Sequence, residues 1–213
     1  MVAVHLVYDV TELYALFPLP SAAFYTLKNS GGAAFFLLSG ICATLSRGKP
    51  FRGITVLLCG ASVSAVSAAV GMPIRFGVLH ALGCCMLLWP FFRSCRQKAL
   101  LFSALLFLSF GAVFRDVSVR VSFLYPLGLL PKGFESADFF PLFPYFGFFL
   151  AGACLGRILY PARRSLLPCF SFTAPLPRFL QLCGRRSLPI YLLHQPVLIF
   201  AIEGALFLRR NFL

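Results

Sequence analysis

His5 and Asp9 stand four residues apart in the opening stretch "MVAVHLVYDV". On an α-helix that spacing puts two side chains on one face, one turn apart. A carboxylate beside an imidazole favours the charged ring and fixes which nitrogen holds the proton, as a general base requires. The same pair would also serve simply to fasten neighbouring helices. His80, in "GVLHALG", is a third candidate for the same site, flanked by Gly77 and Gly83, which let another helix approach closely. Its plainer role is a hydrogen bond to a carbonyl. His194, in "YLLHQPVL", precedes Gln195 and Pro196, and the proline's missing amide predicts a kink. Support of that kink is the plainer reading of His194, and contact with a bound substrate the functional one.

Arg52, Arg157 and Arg185 fall at the ends of apolar stretches, where a guanidinium suits the phosphates of a nucleotide-bearing substrate. Arginine is also common there for topological reasons alone. Glu203, near the end of the last apolar stretch, reads as a side chain that snorkels to the surface or pairs with Arg209. The eight cysteines lie mostly inside apolar runs and never in a C-x-x-C spacing, so they read as small hydrophobes, and no metal site is expected.

The elements that position these groups follow from what surrounds them. Of 213 residues, 60% are apolar, 16% aromatic and 12% charged, too little polar surface to cover a water-soluble globule. The solvent implied is a lipid bilayer. The formal net charge of +13 would point to nucleic acid in a soluble protein, but Lys and Arg cluster between apolar stretches, so no nucleic-acid partner is expected. No signal peptide is read at Met1.

A spanning helix needs about 20 mainly apolar residues. Such runs extend over Phe24–Leu45, Ile54–Gly71, Ile74–Phe92, Phe139–Leu159 and Leu188–Leu208, with a shorter one at Ala99–Phe114. Met1–Phe17 reads as the remainder of a helix whose start is missing. The expectation is one all-α polytopic transmembrane helix bundle over residues 1–213, with about seven spans and the first truncated. Alternate connections divide the 19 Lys and Arg as 12 against 7, the richer side being predicted cytoplasmic. The connection 116–138 reads as an ordered or re-entrant outer loop. Within the long basic connection 160–186, residues Pro177–Cys183 are expected to form one or two turns on the membrane surface.

Ionisable groups at membrane depth are costly, which makes each a candidate for function. Three stretches carry a more specific signal: "IRFGVLHALG" from Ile74, "SADFFPLFPYFGFFLAGACLGRIL" from Ser136 and "CGRRSLPIYLLHQPVLIF" from Cys183. With the opening helix, they resemble the catalytic domain of the heparan-alpha-glucosaminide N-acetyltransferase family, over almost the whole chain. The pattern D-F-F-P-L-x-P at Asp138 is the most specific, whereas "YLLHQPVL" also resembles closing segments of other membrane O-acyltransferases.

The resemblance implies acetyl transfer from cytoplasmic acetyl-CoA to an amino sugar or glycan across the membrane, in a multi-pass protein of the bacterial cytoplasmic membrane. It matches His5 to the family's membrane-embedded histidine, which would take the acceptor's proton. A homo-oligomer is compatible with it. The family's Arg-Gly pair before that histidine is absent here, with Met1 only four residues upstream of His5. A proton-coupled transporter and an inactive truncated membrane protein are the competing readings. Proton-driven uptake without an acylated product would mark the transporter.

Overall fold

The computed structural model describes residues 2–17, 20–46, 51–115, 117–164 and 174–212. Arg47 and Lys49 of the basic tally, Asp116 of the outer loop and Cys169 lie outside them. Among the described residues the secondary structure is helical, without strands. The helices are α1 (Val2–Tyr8), α2 (Ser21–Leu45), α3 (Arg52–Ala69), α4 (Val78–Phe92), α5 (Gln97–Phe114), α6 (Leu142–Leu159), α7 (Pro175–Arg185) and α8 (Ser187–Phe212).

Against about seven expected spans, four helices among the described residues are both long and apolar enough to cross a bilayer: α3, α5, α6 and α8 over Ser187–Asn211. The shortfall has physical causes. α2 has 25 residues, but Lys28, Asn29 and Ser30 interrupt its apolar run. α4 has 15 residues because the chain from Pro73 to Gly77 is pulled out of the helix. Ala137 N–H donates to the Pro73 carbonyl at 3.2 Å and Phe140 N–H to the Phe76 carbonyl at 2.9 Å, which pairs this stretch with residues 137–140. The first apolar helix extends only over Val2–Thr11.

The chain divides into two compact units, residues 1–31 with 167–213, and residues 32–166. In the first, α1 lies against α8, and α7 leads into α8. α1 does not continue as a regular helix past Tyr8. Asp9–Leu13 form a π-helical turn, closed by the Tyr14 N–H on the Asp9 carbonyl at 2.8 Å. The Thr11 hydroxyl donates back to the Val7 carbonyl at 2.7 Å, a bond that competes with the backbone ladder and favours such widening. α8 continues as a helix through Pro196. Glu203 accepts the Tyr14 hydroxyl at 2.9 Å, a partner other than the expected Arg209.

The surface turns expected at Pro177–Cys183 are the longer α7, started by Pro175 in its first turn. Leu176, Phe179 and Leu180 recur along one exposed face and Arg178, Gln181 and Arg185 along another, as in a helix lying in a membrane interface.

The second unit is organised around α6, half of whose spanning window is buried. α5 packs along α6: Gly147 brings it so close that an added Cβ would lie 2.8 Å from the Leu108 amide nitrogen and 3.0 Å from the Ala104 carbonyl. The rings of Phe92, Phe107 and Phe146 meet edge to face at 4.8 to 6.3 Å, filling the space between α4, α5 and α6. Away from this core, Phe91 and Phe102 are exposed at 76% and 68%, an outer surface suited to lipid rather than water. In the connection 117–138 a 3-10 turn forms at Ser122–Leu127, and the Val119 N–H donates to the Leu130 carbonyl at 3.0 Å.

Candidate functional site

The sequence candidates fall into separate groups. His5, Asp9, His194 and Arg185 belong to the first unit, and His80, Arg52 and Arg157 to the second.

In the first unit α1 and α8 bring two imidazoles together. The His5 and His194 rings meet edge to face with centroids 4.7 Å apart, and the Tyr191 ring lies 6.2 Å from His5 and 5.0 Å from His194. Asp9 is fully buried. Its Oδ1 accepts Gln195 Nε2 at 2.8 Å, so its observed partner is on α8, not the residue four back on its own helix. The π-helical turn beginning at Asp9 departs from the 3.6-residue repeat that the spacing of His5 and Asp9 presumes.

His194 is buried, and its Nδ1 is hydrogen-bonded to the Tyr191 carbonyl one turn earlier. A carbonyl only accepts, so Nδ1 carries the proton and Nε2 of the neutral ring presents a lone pair. Three buried atoms of this cluster have no hydrogen-bond partner among the described residues: Asp9 Oδ2, Gln195 Oε1 and His194 Nε2. Each is an acceptor, and a buried acceptor without a donor is costly unless a bound group satisfies it. Gln195 and Tyr191 were not among the sequence candidates. The signal for Gln195 was its place beside His194, and nothing local announced that its amide would meet Asp9.

In the second unit His80 stands in the first turn of α4 rather than at mid-span, because the helix begins at Val78. Its ring lies 5.6 Å from Phe76 and beneath α3, where a Cβ on Gly60 would be 3.1 Å from His80 Nδ1. Asp138, only 8% exposed, accepts the Val78 N–H at 3.2 Å and so caps α4. Its carboxylate is near enough to act electrostatically on both His80 and Tyr145. Asp138 is the acidic residue of the D-F-F-P pattern, which marked the stretch without revealing this contact.

The arginines differ in use. Arg157 Nη1 donates to the Cys95 carbonyl at 2.7 Å and Nη2 to the Arg93 carbonyl at 2.9 Å, with the guanidinium 5.8 Å over the Trp89 ring. It thereby closes the carbonyl end of α4. Arg52 opens α3 and is exposed. Arg185 lines a shallow groove on α7 with Arg178, Gln181 and Leu182. Among the described residues no group of three or more His, Cys, Asp or Glu is arranged to hold a metal ion.

The family profile described as "Heparan-alpha-glucosaminide N-acetyltransferase, catalytic" matches residues 1–196, a stretch that contains every residue of both clusters. No curated protein and no solved structure gives a significant match.

Proposed function

The chain belongs to the heparan-alpha-glucosaminide N-acetyltransferase catalytic family, and from that premise we propose that it transfers an acetyl group from acetyl-CoA to an amino sugar or glycan acceptor across the membrane. The protein is a multi-pass membrane protein of an acetyltransferase family. What supports the finer reading is the cluster of His5, Asp9, His194 and Gln195 on apolar helices, with Asp9 and His194 buried and His5 and Gln195 half-buried.

His5 takes the proton of the acceptor nitrogen as that nitrogen attacks the thioester carbonyl. The new N–C bond forms, the C–S bond breaks, and the departing thiolate of coenzyme A receives a proton. General-base assistance of this kind is worth about 10²–10⁴ in rate. The low dielectric around the cluster strengthens each charge interaction made there. Asp9, fixed by Gln195, supplies a negative charge to the same region.

Acetyl-CoA is a substrate here, and the groove of α7 suits its phosphates. Arg178 and Arg185 are two helical turns apart on one face, with Gln181 between them. Two guanidiniums on a helix at the membrane interface match a phosphate-bearing ligand arriving from water.

The experiment is acceptor-dependent release of coenzyme A thiol by the purified protein in nanodiscs, supplied with acetyl-CoA and a panel of amino sugars. Thiol release that requires an amino sugar and falls on His5→Ala supports the proposal. The absence of any release above empty nanodiscs refutes it.

A further inference from the structure

The second unit separates its charges by end. From residue 32 to 115 and from 139 to 166 the sequence contains no Asp or Glu. The unit's described acids, Glu135 and Asp138, stand where α4 begins: Asp138 caps Val78, and the Glu135 carbonyl accepts Arg75 Nε at 3.2 Å. The opposite end, where α3 starts, α4 passes into α5 and α6 finishes, carries Arg52, Arg93, Arg96, Lys98, Arg163 and Arg164, all exposed. We propose that this end is a docking surface for the headgroups of anionic phospholipids in the leaflet it faces.

Packing between the helices gathers these cations. Gly53, in the first turn of α3, sits against the later part of α4, where an added Cβ would lie 2.8 Å from Leu87 Cγ. Arg157, in the last turn of α6, donates to the carbonyls of Cys95 and Arg93, and Gln97 Nε2 donates to the Cys154 carbonyl at 3.0 Å. The connection from α4 to α5 is thereby tied to α6 through backbone groups, so Arg93 and Arg96 extend from a fixed stretch of chain. Arg157 spends its own donors on those carbonyls and its face on Trp89, which makes it the clamp of the surface and not one of its free charges.

Topology does not account for the pattern. Positive connections orient a membrane protein, but Asp and Glu weigh little in that rule, so orientation alone gives no reason to exclude them. Gathered like charges repel one another, and a surface without acids has no relief of its own. An anionic surface outside the protein supplies it. Apolar side chains set the depth at which that surface is met: Phe51 precedes Arg52, Phe91 stands two before Arg93, and Ile158 follows Arg157, all three exposed. Such side chains face acyl chains, which puts the neighbouring cations at the level of the headgroups. A phosphate dissolved in water has no use for that apolar rim, whereas a phospholipid contacts both.

The test uses the intact protein in phosphatidylcholine nanodiscs doped with a photoreactive lipid, which carries either a phosphatidylglycerol or a phosphatidylcholine headgroup on the same diazirine-bearing acyl chain. Cross-linked peptides are mapped by mass spectrometry. Residues 51–58, 91–98 and 158–164 are expected to take about fivefold more phosphatidylglycerol than phosphatidylcholine, the scale of one cation beside an anionic surface. Residues 117–135, at the acid-bearing end, are expected to show no preference. Salt at about 1 M shortens the screening length to about 3 Å and should remove the difference. Replacing Arg93, Arg96 and Lys98 together by Gln is expected to lower the preference at residues 91–98 by about threefold or more. Replacing Arg115, Arg120 and Lys132 by Gln takes the same charge from the other end and is expected to leave it unchanged.

Equal labelling by the two lipids at all three stretches of the unaltered protein overturns the docking surface whether or not any variant folds. An equal loss in both triple variants overturns it as well, because net charge alone would then attract the lipid. Loss of the preference on adding millimolar coenzyme A would assign the cations to a water-borne phosphate and overturn the lipid assignment.

Discussion

Gln195 Nε2 donates to Asp9 Oδ1 at 2.8 Å and joins two positions 186 residues apart in sequence. The bond links the first helical segment to α8 and sets how the Asp9 carboxylate lies within the cluster. Its strength is open to a double-mutant cycle of Asp9→Asn and Gln195→Leu, read from unfolding in detergent. Interhelical hydrogen bonds in membranes average well below their nominal strength, so a coupling of about 0.5–2 kcal/mol is expected. Additive effects of the two substitutions would mean that the bond carries no net energy.

Gly40 and Gly152 mark where α2 and α6 touch backbone to backbone. A Cβ on Gly40 would collide with the Phe149 carbonyl, and one on Gly152 with the Leu37 carbonyl. Small residues are what permit such an approach in a membrane. Either Gly→Ala substitution is expected to cost about 1–3 kcal/mol. The double substitution should cost less than the sum, because the first already separates the helices, and thermal unfolding of the three variants checks this.

Asp138→Ala leaves the Val78 N–H without its cap and is expected to destabilise by about 1–2 kcal/mol. Gly77→Ala should resemble it, since the new Cβ would lie 2.8 Å from Asp138 Oδ2 and displace the carboxylate. Asp138→Asn keeps an acceptor oxygen and should be milder. Hydrogen exchange at the first turn of α4 reports the difference directly.

Several helices were legible because their limits are written locally. The apolar runs read from sequence lie within a few residues of α2, α3, α5 and α8, and the surface turns expected at Pro177–Cys183 fall inside the longer α7. Long-range pairing was not legible. Residues 74–77 look like the start of an apolar helix, yet their backbone pairs with residues 137–140, some 60 positions away, and α4 begins later, with His80 in its first turn. The candidate site was half legible. His5, Asp9 and His194 stand out as ionisable groups in apolar runs. The wide turn at Asp9–Leu13 breaks the 3.6 repeat, however, and Asp9 meets Gln195 through tertiary packing that no local spacing encodes.

Arg157 ties the carbonyls of Arg93 and Cys95 and covers Trp89, a geometry that depends on a planar fork. Arg157→Lys keeps the charge and loses the fork, and is expected to cost about 1–2 kcal/mol. A melting temperature equal to that of the unaltered protein would show that charge alone suffices there.

The central claim, acetyl transfer at the histidine cluster of α1 and α8, is tested most directly by mass spectrometry of the product formed from acetyl-CoA and glucosamine. The protein and its His5→Ala variant are compared in nanodiscs at matched melting temperature. The account predicts N-acetylglucosamine from the unaltered protein and at least about 100-fold less from the variant. No product from the unaltered protein, or an undiminished yield from His5→Ala, would contradict it.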